Sequence, residues 1–157
     1  MKLYFTNQTI DRHKARDIEL KIEQATGIEL DNPFYDGDAK EAKELDGTGK
    51  SNLSSEEIVG RDIKKIREAD GILALYTHDR NIGSTMEVAI AAFAWGKPVY
   101  IISNMPHVAN HPWIKYFGVT VFDTPYDFIK WYVEKHNKIA QRKGWLNWVS
   151  KQLNLNQ

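Results

Sequence analysis

The 157-residue chain balances 21 Lys and Arg against 21 Asp and Glu, and it contains no cysteine. That length suits one domain with a buried core, and the absence of net charge gives no electrostatic ground for a nucleic-acid or membrane partner. Disulfides, thiolate metal sites and cysteine nucleophiles are excluded.

The first residues, MKLYFTNQ, carry too short an apolar run for a signal peptide, and no stretch approaches membrane-spanning length. A soluble cytoplasmic protein is expected. Residues 2–6 (KLYFT) predict a first strand, rich in aromatic and β-branched side chains. After a polar turn, residues 12–26 predict a helix that buries Ala15, Ile18, Ile22 and Ala25 and stops at Gly27. A short strand is expected at 28–30, running into Asp31-Asn32-Pro33-Phe34. Residues 36–52, with Gly37, Gly47 and Gly49 among charges and at most a helical turn at 40–45, read as a lid over a cleft or as a solvated insertion. Ser54-x-x-Glu57 has the form of a capping box opening a helix over 56–68, with Ile58, Val59, Ile63 and Ile66 inward and Asp62 off that face.

GILALY at 71–76 is an unbroken apolar run of strand length, as expected for a parallel strand covered on both faces. A polar stretch over 77–83 leads to a helix that opens on Gly83-Ser84 and closes at Gly96, with Met86, Ala89, Ile90 and Phe93 on one face. Strands are expected at 98–103 and 119–122, separated by a loop over 104–118. Pro125 opens a helix to about residue 142 with Phe128, Ile129, Tyr132 and Val133 inward. Gly144 breaks it, and residues 145–153, with Trp145, Trp148, Val149 and Leu153, predict a last amphipathic helix that packs on the domain or on another subunit. The main domain is thus expected over 1–143, with a helical extension at 144–157.

The alternation of elements predicts an α/β fold: a five-stranded, mostly parallel sheet with helices on both faces, flavodoxin-like or Rossmann-like. There is no GxGxxG after the first strand and no Walker A sequence, which argues against ordinary dinucleotide and P-loop binding. Open α/β sheets bind ligands at the carboxyl ends of their strands, so the loop after GILALY and the first turn of the next helix are the places to look for chemistry.

Glu87 lies in that turn and has two readings. Ser84-x-x-Glu87 matches a capping box, in which the glutamate folds back onto the helix start and does nothing else. Alternatively its carboxylate projects into the cleft, kept ionised by the positive end of the helix dipole, where it can act as a nucleophile.

Gly60-Arg61-Asp62, Ala69-Asp70, Asn81-Ile82-Gly83-x-x-Met86-Glu87 and Gly96-Lys97-Pro98-Val99, with a weaker element at Asn32-Pro33-Phe34, resemble the nucleoside 2-deoxyribosyltransferase family from Tyr4 to about Phe122. The resemblance implies a flavodoxin-like fold, dimers or higher homo-oligomers with shared active sites, and cleavage of the N-glycosidic bond of deoxynucleosides without metal or cofactor. By position it makes Glu87 the carboxylate that attacks C1′ of the sugar, Asp62 the acid that handles the proton on the base, and Tyr4 a residue that orients the nucleophile or lines the cleft. It also implies an Asn or Ser from a neighbouring subunit in the loop after the fourth strand, for which Asn110 is the candidate, while Trp113 matches the position better by residue count. The chemistry suits such parts: an oxocarbenium-like transition state wants a carboxylate beneath C1′, and the leaving base wants an acid with a higher pKa.

One position departs from the family pattern. Where deoxyribosyltransferases hold the 5′-hydroxyl with an aspartate, this chain has Asn81, with Arg80 adjacent and the amides of Gly83, Ser84 and Thr85 at a helix N-terminus suited to an anion. Transfer of the sugar to another base is what the resemblance implies first; that combination raises a related activity as the alternative, hydrolysis of deoxynucleoside 5′-monophosphates, although asparagine can equally hold a hydroxyl. A non-catalytic nucleotide-binding module is the rival from another class. His78 and His111 have no ligand partners at metal spacing; both read as loop histidines, His78 also as a cleft-lining group.

Overall fold

Leu3 and Phe5 point from the first strand, β1 (Lys2–Thr6), into one hydrophobic layer, while Tyr4 points into another on the opposite face of the sheet. This two-residue period sets the plan of the molecule. The computed structural model describes residues 1–36, 40–41, 52–79 and 82–136. In chain order β1 is followed by α1 (Arg12–Thr26), β2 (Glu29–Asp31), the short strands β3 (Tyr35–Asp36) and β4 (Lys40–Glu41), α2 (Ser55–Glu68), β5 (Gly71–Leu75), α3 (Ile82–Ala89), β6 (Val99–Ile102), α4 (Pro106–Asn110), α5 (Pro112–Tyr116), β7 (Thr120–Phe122) and α6 (Pro125–His136).

The main sheet has five strands in the order β2-β1-β5-β6-β7, and every pairing is parallel. β3 and β4 form a separate antiparallel pair. This is a flavodoxin-like α/β fold, fully parallel in its main sheet where the sequence predicts a mostly parallel one. Its strand order reverses between β1 and β5, and such a switch point leaves a crevice at the strand ends.

Ala15 and Ile22 of α1 and Phe128, Ile129 and Val133 of α6 cover one face, packing on Leu3, Phe5, Leu73 and Leu75. Ile66 of α2 and Val88 of α3 cover the other, packing on Tyr4, Ile72, Ala74 and Ile101. GILALY is therefore buried from both sides, as its composition predicts. Gly71 at its start has no room for a side chain, since a Cβ there would lie 2.7 Å from the carbonyl oxygen of Pro98.

Helix faces are where sequence and structure part. On α2 only Ile66 is fully buried, Val59 is exposed, and Asp62, expected to face away, sits with its side chain 14% exposed. On α3 the buried residues are Ser84 and Val88, continuing to Ala91 in a π-helical turn over Ile90–Ala94, whereas Met86 and Phe93 are exposed. The sequence pattern selects the largest apolar groups, but the face against the sheet is built from small ones, which lets this helix approach β1 and β5 closely.

The loop expected over 104–118 contains α4 and α5, each five residues long with proline in its first turn, too short for a helical period to show. The expected helical turn at 40–45 begins instead with the strand β4, and its remainder lies outside the described residues. Most of the lid reading at 36–52 lies outside them too, as do the 143/144 boundary and Trp145, Trp148, Val149 and Leu153.

Glu19 of α1 is fully buried, accepts a 2.6 Å hydrogen bond from Asn32 Nδ2 and pairs with Arg16. Asn32 Oδ1 in turn accepts from the amide of Phe34 at 3.0 Å, so the Asn32-Pro33-Phe34 element anchors the turn after β2. Burial pushes the Glu19 carboxyl up from 4.5 to about 7 against the pull of both partners. The folded state thus holds this proton more tightly than the unfolded chain. Its stabilising contribution is complete below the unfolded value and is lost as pH rises through about 7. In thermal melts between pH values of about 5 and 8, the wild-type Tm should fall relative to that of Glu19→Gln; parallel curves would show that Glu19 ionises normally.

Candidate active site

β1 ends at the switch point, and its pleat presents Tyr4 and Thr6 toward α3. Tyr4 is completely buried, and a buried phenol needs a hydrogen-bond partner. It donates to Glu87 Oε1 at 3.0 Å. Thr6 Oγ1 hydrogen-bonds to Glu87 Oε2 and lies 2.8 Å from Ser84 Oγ.

These contacts speak against the capping-box reading of Ser84-x-x-Glu87. The helix runs from Ile82, the residue before its glycine-serine pair, so Ser84 lies within it and Glu87 lies in its second turn. Glu87 reaches across to β1 rather than back along its own helix. The other Ser-x-x-Glu is a true capping box: Ser54 Oγ accepts from the amide of Glu57 at 3.2 Å, and Glu57 Oε2 accepts from the amide of Ser54 at 2.8 Å.

Asp62 completes the group from α2. Tyr4 and Arg61 favour its charged form, and it interacts electrostatically with Glu87. Arg61 Nε donates to Asp62 Oδ1 at 2.9 Å. Burial raises both carboxyls above their ordinary range and is the dominant cause for each. Asp62 raises Glu87 further as a like charge, whereas Thr6 and Tyr4 pull Glu87 down by hydrogen bonding. Glu87 lies beyond the first turn of α3, where the helix dipole fades, so desolvation rather than the dipole sets the direction of its shift. Burial, with Glu87 beside it, lifts the Tyr4 phenol well above 10, so Tyr4 stays a proton donor at neutral pH. Tyr76, at the end of β5, is likewise pushed up to about 12 by burial and hydrogen-bonds to Thr85.

Tyr4, Asp62 and Glu87, singled out in the sequence as far apart as 83 positions, are therefore brought together. Ser84 is buried with its hydroxyl on Thr6. Gly83 is exposed at the start of α3, with open space where a side chain would be. Asn110 is exposed at the end of α4, donating through Nδ2 to the carbonyl of Pro106 at 2.9 Å, and no described hydrogen bond links it to Glu87. Arg80 and Asn81 lie outside the described residues. His78 pairs with Asp11 at 3.0 Å, while His111 is exposed between α4 and α5.

Two residues of the group escape sequence reading. Thr6 was legible in principle, two positions after Tyr4 on one face of a strand, and Arg61 stands beside Asp62. Among the described residues, no three or more His, Asp or Glu side chains are grouped to hold a metal ion. No helix of the described residues is long and apolar enough to cross a membrane.

No family model matches the chain, and no curated protein matches it. Among solved structures it resembles a conserved protein from Enterococcus faecalis V583, with a TM-score of 0.61 and 17% sequence identity over 86% of this chain and 98% of that one. At this identity the likeness is one of fold, and it agrees with the flavodoxin-like architecture of the sheet.

Proposed function

We propose that this protein cleaves the N-glycosidic bond of 2′-deoxynucleosides through a covalent deoxyribosyl intermediate on Glu87 and passes the sugar to a second base, as a nucleoside 2-deoxyribosyltransferase does. The observation that carries this reading is the meeting of Glu87, Tyr4 and Asp62 at the β1/β5 switch point. One oxygen of Glu87 attacks C1′ as the bond from C1′ to the base nitrogen breaks, with its electron pair leaving on the base and a proton supplied by Asp62. The nitrogen of an incoming base then attacks C1′ and displaces the carboxylate, and its proton returns to Asp62. Tyr4 holds the nucleophile while staying protonated itself.

A homo-oligomer in which Asn110 of a neighbouring subunit enters the cleft belongs to the same proposal. It is supported by the exposure of Met86, Phe93, Trp113 and Tyr116 along α3, its π-helical continuation and α5, where three of these residues line an apolar hollow. Arg80 and Asn81 favour a second reading, hydrolysis of the 5′-monophosphates.

The test is to incubate the protein with the common 2′-deoxynucleosides or their 5′-monophosphates, with and without a second free base, and to separate the products by chromatography. Exchange of bases that depends on the added base supports transfer, and base release from monophosphates alone supports hydrolysis. No released base under any condition would leave a binding module and overturn the proposal.

A further inference from the structure

We propose that Thr6 is a positioning residue for Glu87, and that Ser84 sets Thr6 in turn, so that a chain of hydroxyls fixes the carboxylate oxygen that Tyr4 does not hold. The inference rests on the reading of Glu87 as the nucleophile, but its core, the control of Glu87 by Thr6, can be measured without substrate.

A hydrogen bond from Tyr4 to Glu87 Oε1 leaves the carboxylate free to turn about its last torsion, a broad and soft one. A second donor on Oε2 stops that rotation, and Thr6 is that donor. Thr6 is itself 2% exposed, so its hydroxyl has no water to fall back on. It has one proton and two oxygen neighbours, Glu87 Oε2 and Ser84 Oγ. An ionised carboxylate is the stronger acceptor, which draws the Thr6 proton to Glu87 and leaves Ser84 to donate to Thr6.

Ser84 is 4% exposed and sits one helical turn before Val88, on the face that α3 turns to the sheet. A larger residue there would hold the helix away from β1 and lengthen both contacts. The arrangement therefore couples the closeness of helix packing to the aim of the carboxylate, and it explains why this helix face is built from Ser84, Val88 and Ala91 rather than from bulkier groups.

The experiment compares wild type, Thr6→Val and Thr6→Ser. Valine keeps the shape and removes the hydroxyl, while serine keeps the hydroxyl. The first readout needs no substrate: the Glu87 carboxyl is titrated by carbon NMR in protein labelled at glutamate. Thr6→Val should move the Glu87 midpoint upward, because a donor to the charged form is lost, and Thr6→Ser should leave it near the wild-type value.

The second readout is turnover. Thr6→Val should lower kcat by about a hundredfold with KM little changed, and should shift the acid limb of the pH profile upward, with Thr6→Ser recovering most of the rate. An unmoved midpoint in Thr6→Val would overturn the proposal whatever the activity. A moved midpoint in a protein without glycosidic activity would retain the control of Glu87 by Thr6 and overturn the nucleophile reading instead.

Discussion

Glu87→Gln should lose at least about ten-thousand-fold in kcat for base release, the scale on which removal of a covalent nucleophile acts. Glutamine matches the shape of the side chain, and its amide oxygen can still accept from one of the two hydroxyls that grip the carboxylate. The fold and nucleoside binding should therefore survive, with dissociation constants within a few-fold of wild type. The amide cannot supply the negative charge that an oxocarbenium-like transition state needs, nor form the ester that follows. Stability should be unchanged or slightly higher, because the variant removes a carboxyl whose charged form is penalised by burial. A parallel binding titration and chromatographic rate assay check both halves. A variant that binds but does not turn over is the expected outcome, and a variant with wild-type rate removes Glu87 from the chemistry.

The second large effect is expected at Asp62. Asp62→Asn should lower kcat by about a hundredfold to ten-thousand-fold for natural bases, the range of a general acid. A leaving group that departs without a proton, such as an activated aryl oxygen on C1′, should be cleaved at close to the wild-type rate. The pH dependence carries a sign. Because burial raises the Asp62 pKa, the acid is available below that raised value, and activity is lost as pH climbs through it. Glu87, also raised, must be ionised, so activity is lost as pH falls through its value. The two limbs enclose a bell, with midpoints that belong to the coupled pair. Asp62→Asn should remove the alkaline limb and keep the acid one. Equal rate losses for natural and activated leaving groups would assign Asp62 a structural role, with Arg61 as the group it serves.

The five strands of the main sheet, α1 and the inward face of α6 were legible in the sequence because their signal is burial itself. GILALY is apolar throughout since both its faces are covered, and Phe128, Ile129 and Val133 recur at helical spacing over a core they fill. The carboxylate face of α2 and the small-residue face of α3 were not legible, and the reason is shared. A helix that serves a site turns polar or small groups inward, as Asp62, Ser84 and Glu87 do, and so breaks the apolar pattern by which an inward face is recognised. Tyr4, Asp62 and Glu87 could be singled out as candidates, but Thr6 and Arg61 were not, and the contacts among the group could not be read. Nothing in Ser84-x-x-Glu87 separates it from Ser54-x-x-Glu57; only the start of α3 at Ile82 turns the first away from a cap.

The central claim, that Glu87 bonds to C1′, is tested most directly by quenching turnover of a 2′-deoxynucleoside in acid and mapping the modified peptide by mass spectrometry. One deoxyribosyl group on Glu87 is the predicted result. Turnover with the sugar on another residue, or with no sugar on the protein at any stage of the reaction, would contradict it.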